Sequence, residues 1–431
     1  MSSSRDLIPF MFLSCLFAFV SDVGSQEALS VEKMVELALA QNADLIAARQ
    51  RLAEAEGLLR QAGLRPNPSI DITVGNGDIL NSDGERAFDF GYSHTFELGG
   101  KRSRRVEAAQ KTYELVRSEI ANRERLLASE VRIKYAEALA AIEKLKNADE
   151  LFKLTSQTFD LAKARAQAGE AAPLEQGLLQ VELNRISSDR MLFAAQVEQA
   201  LLQARLLAGL PLDNKLQLSG TLERAVPAPD LDWAIRTAFT KRPDLAAARI
   251  NEEVAEAGVR LALAGRSPDL VLRGGYAHAQ AGFDQLGFSG ASLVPLRDKD
   301  NILTAGISIV LPLSNRNQGN IAAARARKRE AELARAALER TVRQEIMSAY
   351  QRLTAAQGAL RVFDAGVIGQ SRENLRIVRG AYELGELRML DVINEQRRLI
   401  EIQRSYVDLL REAHVAAVEF ERAAGVSGER R

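Results

Sequence analysis

The residues of this sequence with the means to do chemistry are few and stand apart from one another. His94, His278 and His414 could each offer an imidazole nitrogen to a metal ion. None has a second His or Cys at ligand spacing; two lie in strand-like runs and the third in a terminal helix. Gly99-Gly100-Lys101-Arg102 has the glycine and lysine of a phosphate-binding loop. Position 95, however, is Thr where the loop needs Gly, and Arg102 stands where a Ser or Thr would meet magnesium. It reads better as a turn releasing a strand into a helix, with positive charge near a membrane surface. Gly75-Asn76-Gly77 lacks the third glycine and the following helix of a dinucleotide loop. Ser289, within Gly287-Phe288-Ser289-Gly290-Ala291, lacks the last glycine of a nucleophile elbow. These residue types yield no catalytic, cofactor-binding or metal site, and the chain is expected not to be an enzyme.

Composition narrows the classes further. The 431 residues carry 57 Lys and Arg against 57 Asp and Glu, so no basic excess exists to neutralise nucleic-acid phosphates. A hydrophobic share of 46% argues against a disordered chain, and few aromatics among many Ala, Leu, Glu, Arg and Gln point to long helices. Arg5, the apolar run Leu7 to Val20 and the small residues Val23-Gly24-Ser25 read as a cleaved secretory signal over residues 1–25. Cys15 lies inside that run, after Phe12-Leu13-Ser14, where lipid attachment competes poorly because apolar residues continue to Val20. Beyond the N-terminus no apolar stretch is long enough for a membrane-spanning helix.

The elements that must position everything else are written twice. Ala43-Asp44-Leu45-Ile46-Ala47-Ala48-Arg49 returns 200 residues later as Pro243-Asp244-Leu245-Ala246-Ala247-Ala248-Arg249. The same offset pairs Arg60 with Arg260, Pro68 with Pro268 and Ile72 with Leu272. It becomes 215 where Glu130-Val131 and Tyr135 meet Glu345-Ile346 and Tyr350, and 216 where Ala168-Gly169-Glu170 meets Leu384-Gly385-Glu386. Three matches in one order indicate a duplication: a first repeat over 26–225, a second over 226–424 and a flexible tail over 425–431. Pro211, Pro227 and Pro229 mark the linker.

Each repeat predicts two short helices, two strands and a long helical hairpin. Period-two alternation places strands at about 69–75 and 87–97, then about 269–279 and 302–312, with polar or Gly-rich loops at 76–86 and 281–300. Such lengths approach the ~9–11 residues with which a tilted strand crosses a bilayer. The hairpins are expected at about 101–209 and 317–424. Val131, Ala138, Leu145, Phe152 and Phe159 recur every seven residues, and the second copy has Ile346, Leu353, Leu360, Val367, Asn374 and Ala381. That spacing denotes coiled-coil packing, with each Gly-Glu corner at the far tip. Four amphipathic strands cannot close a barrel, and a sheet edge in lipid leaves backbone groups unpaired at several kcal/mol each. Pooling strands between chains is the physical way out.

The duplicated Asp-Leu-x-Ala-Ala-Arg helix with its following proline, the two strand pairs and the Gly-tipped hairpins resemble the TolC family of outer-membrane efflux channels. Phe96-Glu97-Leu98-Gly99-Gly100-Lys101-Arg102, with Arg105 and Ala108-Ala109, is similar to the heavy-metal branch of the cobalt–zinc–cadmium type. The resemblance covers about Leu29 to Gly425. It implies a mainly α fold with a β-barrel portion, closing twelve strands as a homotrimer in outer-membrane lipid, with helices reaching into the periplasm. It implies a passive exit duct, without cofactor, that serves an inner-membrane efflux pump through a periplasmic adaptor protein. The adaptor-contacting tips would be Gly169, Glu170, Leu174, Gly385, Glu386 and Leu390, and the tunnel constriction Asp391 and Asn394. Three Asp391 carboxylates on one axis would favour cations; equally, a carboxylate in the first turn of a helix is favourable anyway. The competing reading is a soluble periplasmic coiled-coil scaffold or adaptor whose strands form a small ordinary domain.

Overall fold

A computed structural model of the chain describes residues 28–77, 85–169, 172–213, 215–222 and 230–426. The expected signal at 1–25, most of the 76–86 loop, Glu170, Pro227, Pro229 and most of the tail lie outside the described residues. Each half begins with two short helices: α1 (Val31–Gln41) and α2 (Ala43–Ala62), then α5 (Leu231–Lys241) and α6 (Pro243–Ala264). Ser30 and Asn42 cap the first pair by accepting from Lys33 N and Leu45 N, and Asp230 caps α5. The first hairpin is α3 (Lys101–Gln167) with α4 (Pro173–Ala208). The second is α7 (Gln318–Val362), a π-helical turn at Phe363–Val367, α8 (Ile368–Glu383) and α9 (Met389–Ala424).

Between the short helices and the hairpins stand β1 (Ser69–Asn76), β2 (Arg86–Glu97), β3 (Asp269–Ser289) and β4 (Ser292–Ile309), one antiparallel sheet in the order β1-β2-β3-β4. The pair β3 and β4 corrects the expected spans 269–279 and 302–312. Residues 281–300 are no open loop, because Gln280↔Lys299, Ala281↔Asp298 and Gly282↔Arg297 continue the ladder to a tight end at Ser289↔Ser292. Backbone pairing does not require alternation, so polar and Gly-rich residues extend a hairpin that side-chain pattern alone ends early. At its other end β4 stops at Ile309, three residues before Pro312, which has no N–H to donate.

The helices are held by matching clusters in the two halves. Met34, Ala38, Val131, Tyr135, Ala138 and Ala204 form one; Ala234, Ala238, Ile346, Leu353 and Phe420 form the other. Asn42 Nδ2 donates to Leu207 O at 3.1 Å, and its counterpart Arg242 Nη1 donates to Ala423 O at 3.0 Å. The seven-residue lane holds with two adjustments. In α3 a seven-residue series of buried positions beyond Ala138 is Ala148, Thr155 and Ala162, with Ala140 and Thr158 buried as well, while Phe152 and Phe159 are half-buried beside them. In the second hairpin the lane passes from Leu360 to Ile368, Leu375 and Tyr382 rather than Val367, Asn374 and Ala381, because the π turn inserts one residue.

Candidate functional site

Two regions of the chain carry the features expected of function: the sheet with its collar, and the hairpin tips. In the sheet, alternation and register put the apolar side chains on one face. Ile72, Phe90, Tyr276 and Leu303 form one row across all four strands, and Phe96, Leu270 and Ile309 another. Opposite them lie Asp71, Gly91, Gly275 and Thr304. The apolar face is bare in the single chain, with Val74 72% and Leu303 86% exposed on the two edge strands. Those edges, β1 and β4, each have a neighbour on one side only. His278 lies beside Asn301 at 2.9 Å and His94 packs edge-on against Phe96.

Where strands pass into helices, the Gly-Gly-Lys-Arg run makes the expected turn: Gly99 and Gly100 sit at φ 68 and 72, and α3 begins at Lys101. A Cβ on Gly99 would lie 2.0 Å from Ser267 Oγ, so glycine is required there by space as well as by backbone. The positive charges are not left free. Lys101 Nζ lies 2.7 Å from Asp269, and Arg105 binds Glu97 at 2.6 Å and the Leu64 carbonyl at 3.0 Å. Arg102 Nε donates to Gly63 O at 2.6 Å, adding charge where the α2 dipole is negative. This collar ties the first and second repeats beneath the sheet, a role that sequence spacing did not expose.

At the far end Gly169 and Gly385 both adopt left-handed backbone, at φ 78 and 79, and terminate α3 and α8. Glu386 N donates to Ala381 O at 2.9 Å, closing the second tip. Leu174 and Leu390 are 71% and 49% exposed at the starts of α4 and α9. Asp391 Oδ2 accepts from Arg388 N at 3.0 Å, so the carboxylate caps its own helix while remaining exposed. Asn394 lies one turn further on the same exposed face.

Behind the tips are polar contacts that the sequence reading missed. Tyr382 Oη donates to Glu175 at 2.7 Å, and burial together with that carboxylate pushes the phenol up to about 12. Glu182, 1% exposed, binds Arg185 at 2.5 Å and Arg397 at 2.6 Å. Burial opposes its charge, yet the two guanidinium groups outweigh that and hold the carboxyl below its ordinary value. Asp189 repeats the arrangement with Arg404 at 2.7 Å, so α4 and α9 are laced together by acid from one repeat and base from the other. A signal was present: Glu182, Asp189, Arg397 and Arg404 are each seven apart within their helix.

A bare amphipathic sheet set on paired, glycine-tipped helical hairpins defines the class: the protomer of an outer-membrane channel. The family description "Outer membrane efflux protein" matches residues 34–210 and 234–426. The chain belongs to that family, an outer-membrane one whose members are channels, with helices in the periplasm. It is 25% identical over 402 residues to the cobalt-zinc-cadmium resistance protein CzcC of Cupriavidus metallidurans, covering 92% of this chain and 90% of that one. It is 22% identical to the outer membrane protein TolC of Vibrio cholerae, covering 99% and 96%. Among solved structures, CusC superposes with a TM-score of 0.76 at 20% identity over 92% of both chains. VceC of Vibrio cholerae gives 0.72 at 20% identity over 93% and 97%. Membership of an outer-membrane family removes the soluble scaffold reading.

Proposed function

We propose that this outer-membrane efflux protein is the passive exit duct of a tripartite system and that its cargo is heavy-metal cations. Three chains pool four strands each into a twelve-stranded barrel, and their hairpins continue the tube into the periplasm. The observation that carries this is the sheet. It has one continuous apolar face and two edges with unpaired backbone, which lipid does not tolerate and a single chain cannot close. A twelve-stranded closure leaves a lumen, whereas eight strands fill with side chains. The cation preference rests on the relatedness to CzcC and on the exposed Asp391 carboxylate, which as a threefold ring favours positive charge.

In this reading the duct performs no chemistry and needs no cofactor. A periplasmic adaptor meets the tips through Gly169, Glu170, Leu174, Gly385, Glu386 and Leu390, and an inner-membrane pump supplies the energy. The narrowest ring is Asp391, with the neutral Asn394 adjoining it. The test is export. A strain deleted for the protein should lose tolerance to zinc, cobalt and cadmium and regain it with the wild-type chain. The Gly169→Val, Gly385→Val double variant should insert in the membrane yet fail to restore tolerance, because β-branched residues are strained at these φ values. Full tolerance in the deletion strain would remove the metal cargo, and full rescue by the double variant would remove the tip contact.

A further inference from the structure

The duplication makes one chain a record of two interfaces, only one of which is satisfied within it. Helix α6 of the second repeat lies between α3 and α7, with extensive contact on both sides, whereas its counterpart α2 has extensive contact only with α3. Within the chain the side of α2 that matches the α7 side of α6 is left without a helix of that kind.

The α3 lane that covers the second repeat is Lys111, Ser118, Arg125 and Arg132. Lys111 pairs with Glu253 at 2.8 Å, Ser118 Oγ donates to Pro243 O at 2.9 Å, and Arg132 reaches Glu421 at 3.4 Å. Arg125, buried, donates to Arg422 O and lies 3.7 Å from Asp244. The same lane of α7, displaced by 215 residues, is Ala326, Leu333, Arg340 and Met347. All four are exposed, Leu333 by 54% and Met347 by 46%. The Arg340 side chain forms no hydrogen bond or ion pair among the described residues, and neither does that of Asp44, the counterpart of Asp244.

The substitutions between the two lanes are matched. Where Lys111 meets Glu253, the second set has Ala326 and Ala53, so a charge pair gives way to an apolar pair with no charge stranded. Where Arg125 meets Asp244, both charges persist as Arg340 and Asp44. Ser118 opposite Pro243 becomes Leu333 opposite Ala43, and the exposed Ile46 and Leu58 of α2 supply apolar surface on the same helix. Glu130, exposed and without a pair among the described residues, adds a second acid, because Asn42 replaces the arginine that occupies Glu345 in the other half.

We infer that α7 of one copy docks on α2 of the next, with Arg340 entering the partner's Asp44 and Glu130 and with Ala326, Leu333 and Met347 covering the apolar face of α2. This rests on the trimer reading and specifies its helical interface. It is heterologous, one repeat against the other, so it does not end at a dimer, and with the threefold rotation of that reading it closes a ring.

The test uses the full-length protein in outer-membrane preparations with the pair Asp44→Cys and Arg340→Cys. Oxidation should convert the monomer band to a three-chain band on a denaturing gel, reversed by reductant, while either single variant stays uncrosslinked. Charge reversal supplies the independent arm: Asp44→Arg or Arg340→Asp alone should weaken the oligomer in mild detergent, and the two together should restore it. A trimer by native mass without the covalent ladder or the charge rescue overturns the contact and leaves the trimer standing. A wild-type protein that is monomeric in mild detergent overturns both.

Discussion

The two halves of the chain have the same outline and solve two local problems differently. The first difference is at the junction of short helix and hairpin. Asn42 makes its single carbonyl contact as a neutral group, while Arg242 makes the equivalent contact and brings a charge. That charge has to be matched in a place where Arg242 is only 4% exposed, so Asp244 and Glu345 gather round it at 2.6 and 2.8 Å. The second difference is in the long arm: α3 runs 67 residues unbroken, whereas its counterpart is divided into 45 residues of α7, a five-residue π turn and 16 residues of α8. The two halves share their packing lanes and differ in features that the lanes can absorb.

The junction gives the largest expected effect. Asp244→Asn leaves Arg242 and Arg125 buried against one remaining acid, Glu345, and removing one partner of a buried pair costs roughly 3–5 kcal/mol. Asp44→Asn, at an exposed site whose side chain has no partner among the described residues, should cost the isolated protomer almost nothing. Thermal unfolding of the protein held as monomer in a dissociating detergent separates the two; equal losses would break the comparison. Burial works against the Asp244 charge, but Arg242 and then Arg125 hold the carboxyl below its ordinary value. Its stabilisation is therefore complete above the unfolded value of about 3.9 and is lost as pH falls through the depressed folded value. Asp244→Asn should flatten that acid limb of the stability curve.

The next pair of sites sharpens the comparison. Gly209 and Gly425 end α4 and α9 with the same left-handed backbone, at φ 70 and 75. A Cβ on Gly209 would lie 2.5 Å from the Gln41 carbonyl oxygen, which is rigid backbone, whereas on Gly425 it would meet the side-chain atom Arg242 Cγ at 2.8 Å and backbone only at 3.2 Å, at Arg242 N. Gly209→Ala should cost about 3 kcal/mol, strain and clash combined, and Gly425→Ala about 1–2 kcal/mol, mostly the left-handed strain. The order of the two unfolding midpoints checks this, and a reversed order would show that the Arg242 cluster cannot yield.

How much of this was legible in the sequence depended on which atoms did the work. The duplication, the strand quartet and the glycine tips were readable because side-chain period and φ preference are local. The outer half of the β3–β4 hairpin was not, since Gly282, Arg297 and Asp298 pair there through backbone alone. The charges of the Gly-Gly-Lys-Arg turn and of Arg105 were visible, but their partners Asp269 and the carbonyls of residues 63 and 64 come from distant segments, and no period points to them. Glu182 with Arg397 lay between: the spacing was present on each helix, but only packing of α4 on α9 shows that the two lanes meet. The offset between repeats, changing from 215 to 216, was also visible without showing where the added residue goes.

That added residue supports the smallest prediction. The offset changes between Leu145 with Leu360 and Thr155 with Ser371, which brackets the π turn at Phe363–Val367. Thr155 and Ser371 are both buried, so the faces on either side of the insertion still correspond. An extra residue in an α-helix would rotate everything beyond it by about 100°, and widening one turn is how that rotation is avoided. Gly366, at φ 133, is the residue that takes up the distortion. Deleting Gly366 should restore a plain helix with Leu375 two seven-residue repeats beyond Leu360, raising stability by up to ~1 kcal/mol through loss of a strained glycine. Replacing it by Ala keeps the extra residue and forbids the φ, so Gly366→Ala should lower stability by about 1–2 kcal/mol. Opposite signs from deletion and substitution at one position are what a length-absorbing turn requires. If both variants lost stability, the π turn would be holding the second hairpin in a shape that an unbroken helix cannot take.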